Sequence, residues 1–123
     1  MSKAMVIDDS RAIRMILAAT LQDLGYEVCQ AANGKEALAA VEQAGEISLI
    51  LVDWNMPEMN GLEFVQHLRA DTRFSSVPLM MVTTEAEMSQ VVRALEAGAN
   101  EYVMKPFTRE IIADKLRLMG VIQ

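Results

Sequence analysis

Three stretches of this chain are apolar at every position and only four residues long: Ala4–Ile7, Leu49–Val52 and Leu79–Val82. Runs this short do not make helices, and their lack of alternation suits strands covered on both faces. A strand buried on two sides needs helices above and below it, which points to a parallel sheet. Two further candidates, Glu27–Ala31 and Glu101–Met104, mix polar and apolar residues, as edge strands do.

Helical spacing fills the intervals. Ile13, Ile16, Leu17, Leu21 and Leu24 follow the i, i+3, i+4 pattern and stop at Gly25. Ala37, Leu38, Val41 and Ala44 repeat it up to Gly45, and Leu62, Val65 and Leu68 give a third helix. Met88, Val91, Val92 and Leu95 predict a fourth helix ending at Gly98, and Ile112, Leu116 and Met119 a fifth. Strand and helix thus alternate five times, the signature of βαβ units: an α/β fold with a doubly wound five-stranded parallel sheet and helices on both faces. The units recur every 22–30 residues or so but share no sequence, which sets a solenoid aside.

The 123 residues carry 11 basic and 17 acidic side chains, a net charge of −6. Length and the absence of a Pro/Gly/Ser-rich linker lead us to expect one domain over residues 1–123, with no output domain. Acidity argues against a sequence-independent grip on nucleic acid and against an anionic membrane surface. No apolar run approaches the ~20 residues of a membrane span, and the start of the chain lacks a signal-peptide pattern. A single cysteine, Cys29, makes no internal disulfide, and a cytoplasmic protein is the expectation.

Chemistry in such a sheet gathers at the carboxyl ends of the strands. The first apolar run leads into Asp8-Asp9-Ser10, the second into Asp53, and the third into Thr83-Thr84-Glu85, while the last strand ends with Met104-Lys105-Pro106. Each has an ordinary reading. Asp8-Asp9-Ser10 suits a helix N-cap, Asp53 a turn leading to Pro57, Thr84-Glu85-Ala86-Glu87 a capping box, and Lys105 an exposed lysine. Independent causes would scatter these groups, yet all fall on one rim. Three carboxylates crowded together call for a cation, and oxygen ligands of this kind suit Mg²⁺.

Together, Asp8-Asp9-Ser10-Arg11, Asp53-Trp54-Asn55-Met56-Pro57 with Gly61, Val82-Thr83-Thr84-Glu85-Ala86 and the run Gly98–Phe107 resemble the response-regulator receiver domains of two-component signalling, nearest to the single-domain chemotaxis regulators. The resemblance covers essentially the whole chain and implies a flavodoxin-like sheet order, 2-1-3-4-5. It implies that Asp53 accepts a phosphoryl group from a histidine kinase (CheA-like). Asp8, Asp9, Asp53 and the backbone carbonyl of Asn55 would hold Mg²⁺, with Asp8 acting partly through water. Lys105, the Thr83 hydroxyl and the Thr84 N–H would meet the phosphoryl oxygens. The Lys105–Pro106 bond would be cis.

Asn55 and Glu85 would border the path of the hydrolytic water, giving a phosphoryl lifetime of seconds to minutes, with Thr84 narrowing access somewhat. Thr83 and Tyr102 would form the switch, coupling the site to the face made by the fourth helix, fifth strand and fifth helix. A motor-switch protein or another partner would dock there, a phosphatase is possible as a further partner, and the chain would be a monomer. The resemblance places it outside the enzymes, although it would catalyse its own phosphorylation and dephosphorylation. A half-buried edge aromatic is the plain alternative for Tyr102.

Three other readings stay open. A stand-alone receiver also serves as a phosphorelay intermediate or phosphate sink. A metal-dependent aspartyl-phosphate phosphatase would carry both aspartates in one Asp-x-Asp loop after the first strand. A flavodoxin-like FMN carrier would need a Ser/Thr/Gly-rich loop where Asp8-Asp9 stands. The remaining features read as structural. Met5, Met80 and Met81 are core filler, His67 faces solvent, Cys29 is a small buried apolar residue, and Met88 is either core or partner surface. Trp54, beside the acceptor, should report Mg²⁺ by fluorescence.

Overall fold

Successive residues of a strand point to opposite faces, and here both faces are buried. The computed structural model describes residues 2–123, the side chain of Glu85 excepted. Strands β1 (Lys3–Ile7), β2 (Glu27–Ala31), β3 (Leu49–Asp53), β4 (Leu79–Thr83) and β5 (Glu101–Met104) form one sheet ordered β2-β1-β3-β4-β5, every pairing parallel. The fold class and strand order are those expected.

Met5, Ile7, Ile50, Val52, Leu79 and Met81 project to one side, against α2 (Gly34–Gln43), α3 (Gly61–Ala70) and α4 (Val91–Ala97). Ala4, Val6, Leu49, Leu51, Met80 and Val82 project to the other, against α1 (Arg11–Asp23) and α5 (Arg109–Leu118). The unbroken apolar runs therefore serve two separate cores. On the edge strand β2, Cys29 is only half-buried, with its Sγ 3.5 Å from the carbonyl of Ala4, so it is less enclosed than the small buried apolar residue expected there. Among the described residues no helix is long and apolar enough to cross a membrane.

Helix starts follow the local chemistry. Ser10 caps α1, Asn33 caps α2, Thr108 caps α5, and Asn60 with Glu63 makes a reciprocal capping box on α3 at 2.9 and 3.0 Å. The fourth helix differs from its expected form. Glu85–Gln90 winds as a 3₁₀ turn, and the α-helix begins only at Val91. The i, i+3 spacing of Met88 and Val91 fits either winding. The tighter one prevails where the Glu87 carboxylate turns back to accept the Thr84 N–H at 2.9 Å.

Two close approaches fix the loops around this frame. Gly98 takes φ +124°, a conformation that disfavours a side chain, and its carbonyl accepts from Arg69 Nε and Nη2 at 3.1 and 2.9 Å. Gly61, at the start of α3, leaves no room for a methyl group: a Cβ there would lie 2.6 Å from the carbonyl oxygen of Asp53 and 2.7 Å from Met81 Cε. Its N–H donates to the Trp54 carbonyl at 2.8 Å, tying α3 to the loop that follows β3. Gly61→Ala should therefore push that loop off the sheet and cost about 2–3 kcal/mol. Urea denaturation checks this, and a midpoint equal to that of the parent chain would count against so tight a contact.

Candidate functional site

Each rim loop is held by a backbone bond that continues the sheet. Asp8 N–H donates to Ala31 O at 3.2 Å, Trp54 N–H to Val82 O at 2.9 Å, and Lys105 N–H to Thr83 O at 2.7 Å. These bonds carry the strand ends to one place. Carboxylate oxygens of Asp8, Asp9 and Asp53 lie within 4.8 Å of one another. Asp8 and Asp53 are buried and Asp9 is exposed. Lys105 reaches in from the end of β5, its Nζ 3.1 Å from Asp53 Oδ1 and 3.3 Å from Asp8 Oδ2. The Lys105–Pro106 bond is cis, as the resemblance implied.

The remaining Asp8 oxygen, Oδ1, accepts the Ser10 N–H at 2.9 Å, so the residue that caps α1 also braces the acid. Arg14, which no sequence motif singles out, donates from Nη1 to the Asp8 backbone carbonyl at 2.7 Å. Trp54 is buried against α3, whereas Asn55 is exposed in the loop beyond it. Thr83 is fully buried at the end of β4, and its hydroxyl lies 3.3 Å from Glu87 Oε1 and 3.3 Å from the Thr84 carbonyl. The side chain of Glu85 lies outside the described residues.

Electrostatics oppose full ionisation of this cluster. Burial above all, and then the Asp8 charge, push the Asp53 carboxyl up to about 6 from its ordinary 3.8, although Lys105 pulls the other way. Asp8 is also raised, with burial outweighing the Ser10 N–H and Lys105. Burial pulls the Lys105 ammonium down, but Asp53 and Asp8 outweigh it and hold it above its ordinary value. One ammonium thus leaves the two buried acids undercompensated, and a second cation is what the donor set lacks. Its ligands are oxygen alone, hard and acidic, which suits a divalent ion such as Mg²⁺. Thr83 and Thr84, whose hydroxyl and N–H the resemblance assigns to the phosphoryl oxygens, stand at the end of β4 on the same rim.

Tyr102 lies apart from the acids on β5. It is half-buried, with Lys115 Nζ 4.4 Å from the ring centroid, and the same ammonium stands 3.4 Å from Glu101 Oε1. His67 is exposed on α3, as the sequence suggested, and Met88 is half-buried in the 3₁₀ turn.

Comparison with known proteins agrees with this fold. The family model described as "Response regulator receiver domain" matches residues 4–117. The chain is 44% identical over 118 residues to chemotaxis protein CheY1 of Helicobacter pylori, covering 95% of each chain. It is 43% identical to a CheY homolog of Campylobacter jejuni, covering 93% of this chain and 88% of that one. Among solved structures, chemotaxis response regulator CheY4 of Vibrio cholerae superposes with a TM-score of 0.87 at 38% identity, over 99% of both chains. The strand ends, the crowded acids and their bridging lysine thus sit in a chain that belongs to the response-regulator receiver domains of two-component systems, as a CheY-like chemotaxis regulator.

Proposed function

We propose that this chain is a phospho-acceptor switch that takes a phosphoryl group from a histidine kinase onto Asp53 and thereby changes its affinity for a chemotaxis partner. The observation that carries this reading is the Lys105 ammonium between Asp8 and Asp53, 3.3 and 3.1 Å from their oxygens, at the rim where three acids converge.

In the transfer, an Asp53 oxygen attacks phosphorus, the P–N bond to the kinase histidine breaks, and an acyl phosphate forms on Asp53. Both reactants are anionic, so the site has to supply countercharge. Lys105 does so from one side. Asp8, Asp9, Asp53 and the Asn55 carbonyl would hold Mg²⁺, which when bound neutralises charge on the phosphoryl oxygens. The Thr83 hydroxyl and Thr84 N–H take further phosphoryl oxygens. The resemblance assigns Asn55 and Glu85 to the approach of the hydrolytic water, and polar groups there would limit the lifetime to seconds or minutes. The chain acts on itself rather than turning over a substrate. Two acids directly after β1, with the acceptor at the end of β3, disfavour the Asp-x-Asp phosphatase arrangement.

The output is docking. Val92, Leu95, Met104, Ile111 and Leu118, on α4, β5 and α5, are large apolar residues left exposed, which supports a protein partner there, such as a flagellar motor switch. We take the receiver to act in the cytoplasm, in keeping with its likeness to the chemotaxis relatives.

Incubation with acetyl phosphate and Mg²⁺ tests the reading. One acid-stable, hydroxylamine-labile phosphoryl group per chain is expected, with a change in Trp54 fluorescence, and repeated turnover of the donor without a labelled protein would sink it. Tyr102→Ala should keep the rate of labelling within about twofold while reducing flagellar reversals in cells by about tenfold. Normal reversals in that strain would remove Tyr102 from the switch.

A further inference from the structure

The two donors assigned above to the phosphoryl oxygens are already engaged. Glu87 Oε1 stands 2.9 Å from the Thr84 backbone nitrogen and 3.3 Å from Thr83 Oγ1. An amide N–H and a hydroxyl each have one proton to give. While they serve the Glu87 carboxylate they do not serve another anion. Chemically the carboxylate oxygen is a fair stand-in for a phosphoryl oxygen: anionic, acceptor-only and held by the same pair of groups. Thr83 is fully buried, and apart from Glu87 its hydroxyl has only the Thr84 carbonyl, at 3.3 Å, to turn to when the carboxylate leaves.

We propose that Glu87 is an internal competitor for the phosphoryl-oxygen pocket, holding Thr83 and Thr84 in the resting state and leaving when Asp53 is phosphorylated. The inference rests on Asp53 being the acceptor. It makes Glu87 a positioning residue, acting on the reacting group through Thr83 and Thr84. Two anions cannot share these donors, so the exchange is exclusive.

The exchange also reaches the surface. Glu87 closes the 3₁₀ turn Glu85–Gln90, where its own N–H donates to the Thr84 carbonyl at 3.0 Å and its carboxylate takes the Thr84 N–H. A 3₁₀ stretch leading into an α-helix is a tight, less favourable winding. Expelling the Glu87 side chain removes the contact that pins it, next to the α4 residues Val92 and Leu95 whose apolar side chains are exposed. The signal therefore leaves the site through a side-chain eviction at the foot of α4.

Beryllofluoride, which forms a tetrahedral phosphoryl mimic on a carboxylate, is the probe. Titrated with Mg²⁺ present and followed by Trp54 fluorescence, Glu87→Ala should bind it about tenfold more tightly than the parent chain. Glu87→Gln, which keeps the volume and a neutral acceptor, should fall between them and serves as the folding control. A residue that merely capped the turn would, on removal, loosen the site and weaken binding, so the direction separates the two roles. In the parent chain, saturating beryllofluoride should speed amide exchange at residues 87–90 by about fivefold or more while Thr84 stays protected. Unchanged or weaker binding in both variants, or unchanged exchange at residues 87–90, overturns the proposal. If the parent chain fails to bind the probe, or Asp53→Asn binds it equally well, it is the phospho-acceptor reading that fails.

Discussion

Asp53→Asn is expected to abolish phosphoryl labelling and, in metal-free buffer at pH 7, to melt well above the parent chain. The second effect follows from the position of the Asp53 carboxyl, pushed up to about 6 from 3.8 by burial and by the Asp8 charge. Between those two values the folded chain keeps a proton that the unfolded chain has released. Stability therefore falls as pH rises through that window and stays lower above it. A shift of this size corresponds to something on the order of 2–3 kcal/mol. An amide in place of the carboxylate removes that charge, can donate to Asp8 and can still accept from Lys105. The melting temperature should rise by about 5–10 °C at pH 7 and by much less at pH 4, where the acid is already protonated. Thermal scans in EDTA at both pH values check this. Equal melting of the two proteins at pH 7 would mean that the acids are not strained by burial. Saturating Mg²⁺ should narrow the gap by stabilising the parent chain.

Lys105→Ala is the complementary change. It leaves Asp8 and Asp53 buried beside each other without the ammonium that now stands 3.3 and 3.1 Å away. Labelling by acetyl phosphate should fall by about two orders of magnitude, because the lysine supplies countercharge where the phosphoryl group gains a bond. Stability at pH 7 should fall by about 2 kcal/mol, at the low end for a broken buried pair because the lysine side chain is 22% exposed and water can enter. The loss should shrink on acidification to pH 4, since a protonated acid has no need of the ammonium. A loss of equal size at both pH values would show that Lys105 acts by packing rather than by charge.

Asp53 was legible in the sequence because it ends an apolar run, and a run that short fixes both the strand and the rim onto which it opens. Asp8 and Thr83 were readable for the same reason, whereas Lys105 follows a mixed edge strand and stood out by its place before Pro106. Glu87 was visible only as half of a capping box. The local pattern is correct, but its reach to the Thr83 hydroxyl depends on where β4 delivers that side chain. The 3₁₀ winding ahead of α4 was hidden because i, i+3 spacing is common to both helix types. Arg14 and Arg69 bind backbone carbonyls of Asp8 and Gly98, and a carbonyl has no sequence signature. The edge position of β2 explains Cys29: only one side of the strand has a partner, so a small apolar residue there is half-buried.

The lysine over Tyr102 has a consequence for sensitivity. A ring fixed by close packing on every side would need several contacts broken before it moved. Here a half-buried ring packs against the core on one side and is steadied on the other by one ammonium that it shares with Glu101, an attachment worth on the order of 0.5–1 kcal/mol. If Tyr102 is part of the switch proposed above, so light a tether sets a low threshold for it. Modest biases from an approaching partner would then redistribute the ring between positions, and ionic strength would tune the set point from outside.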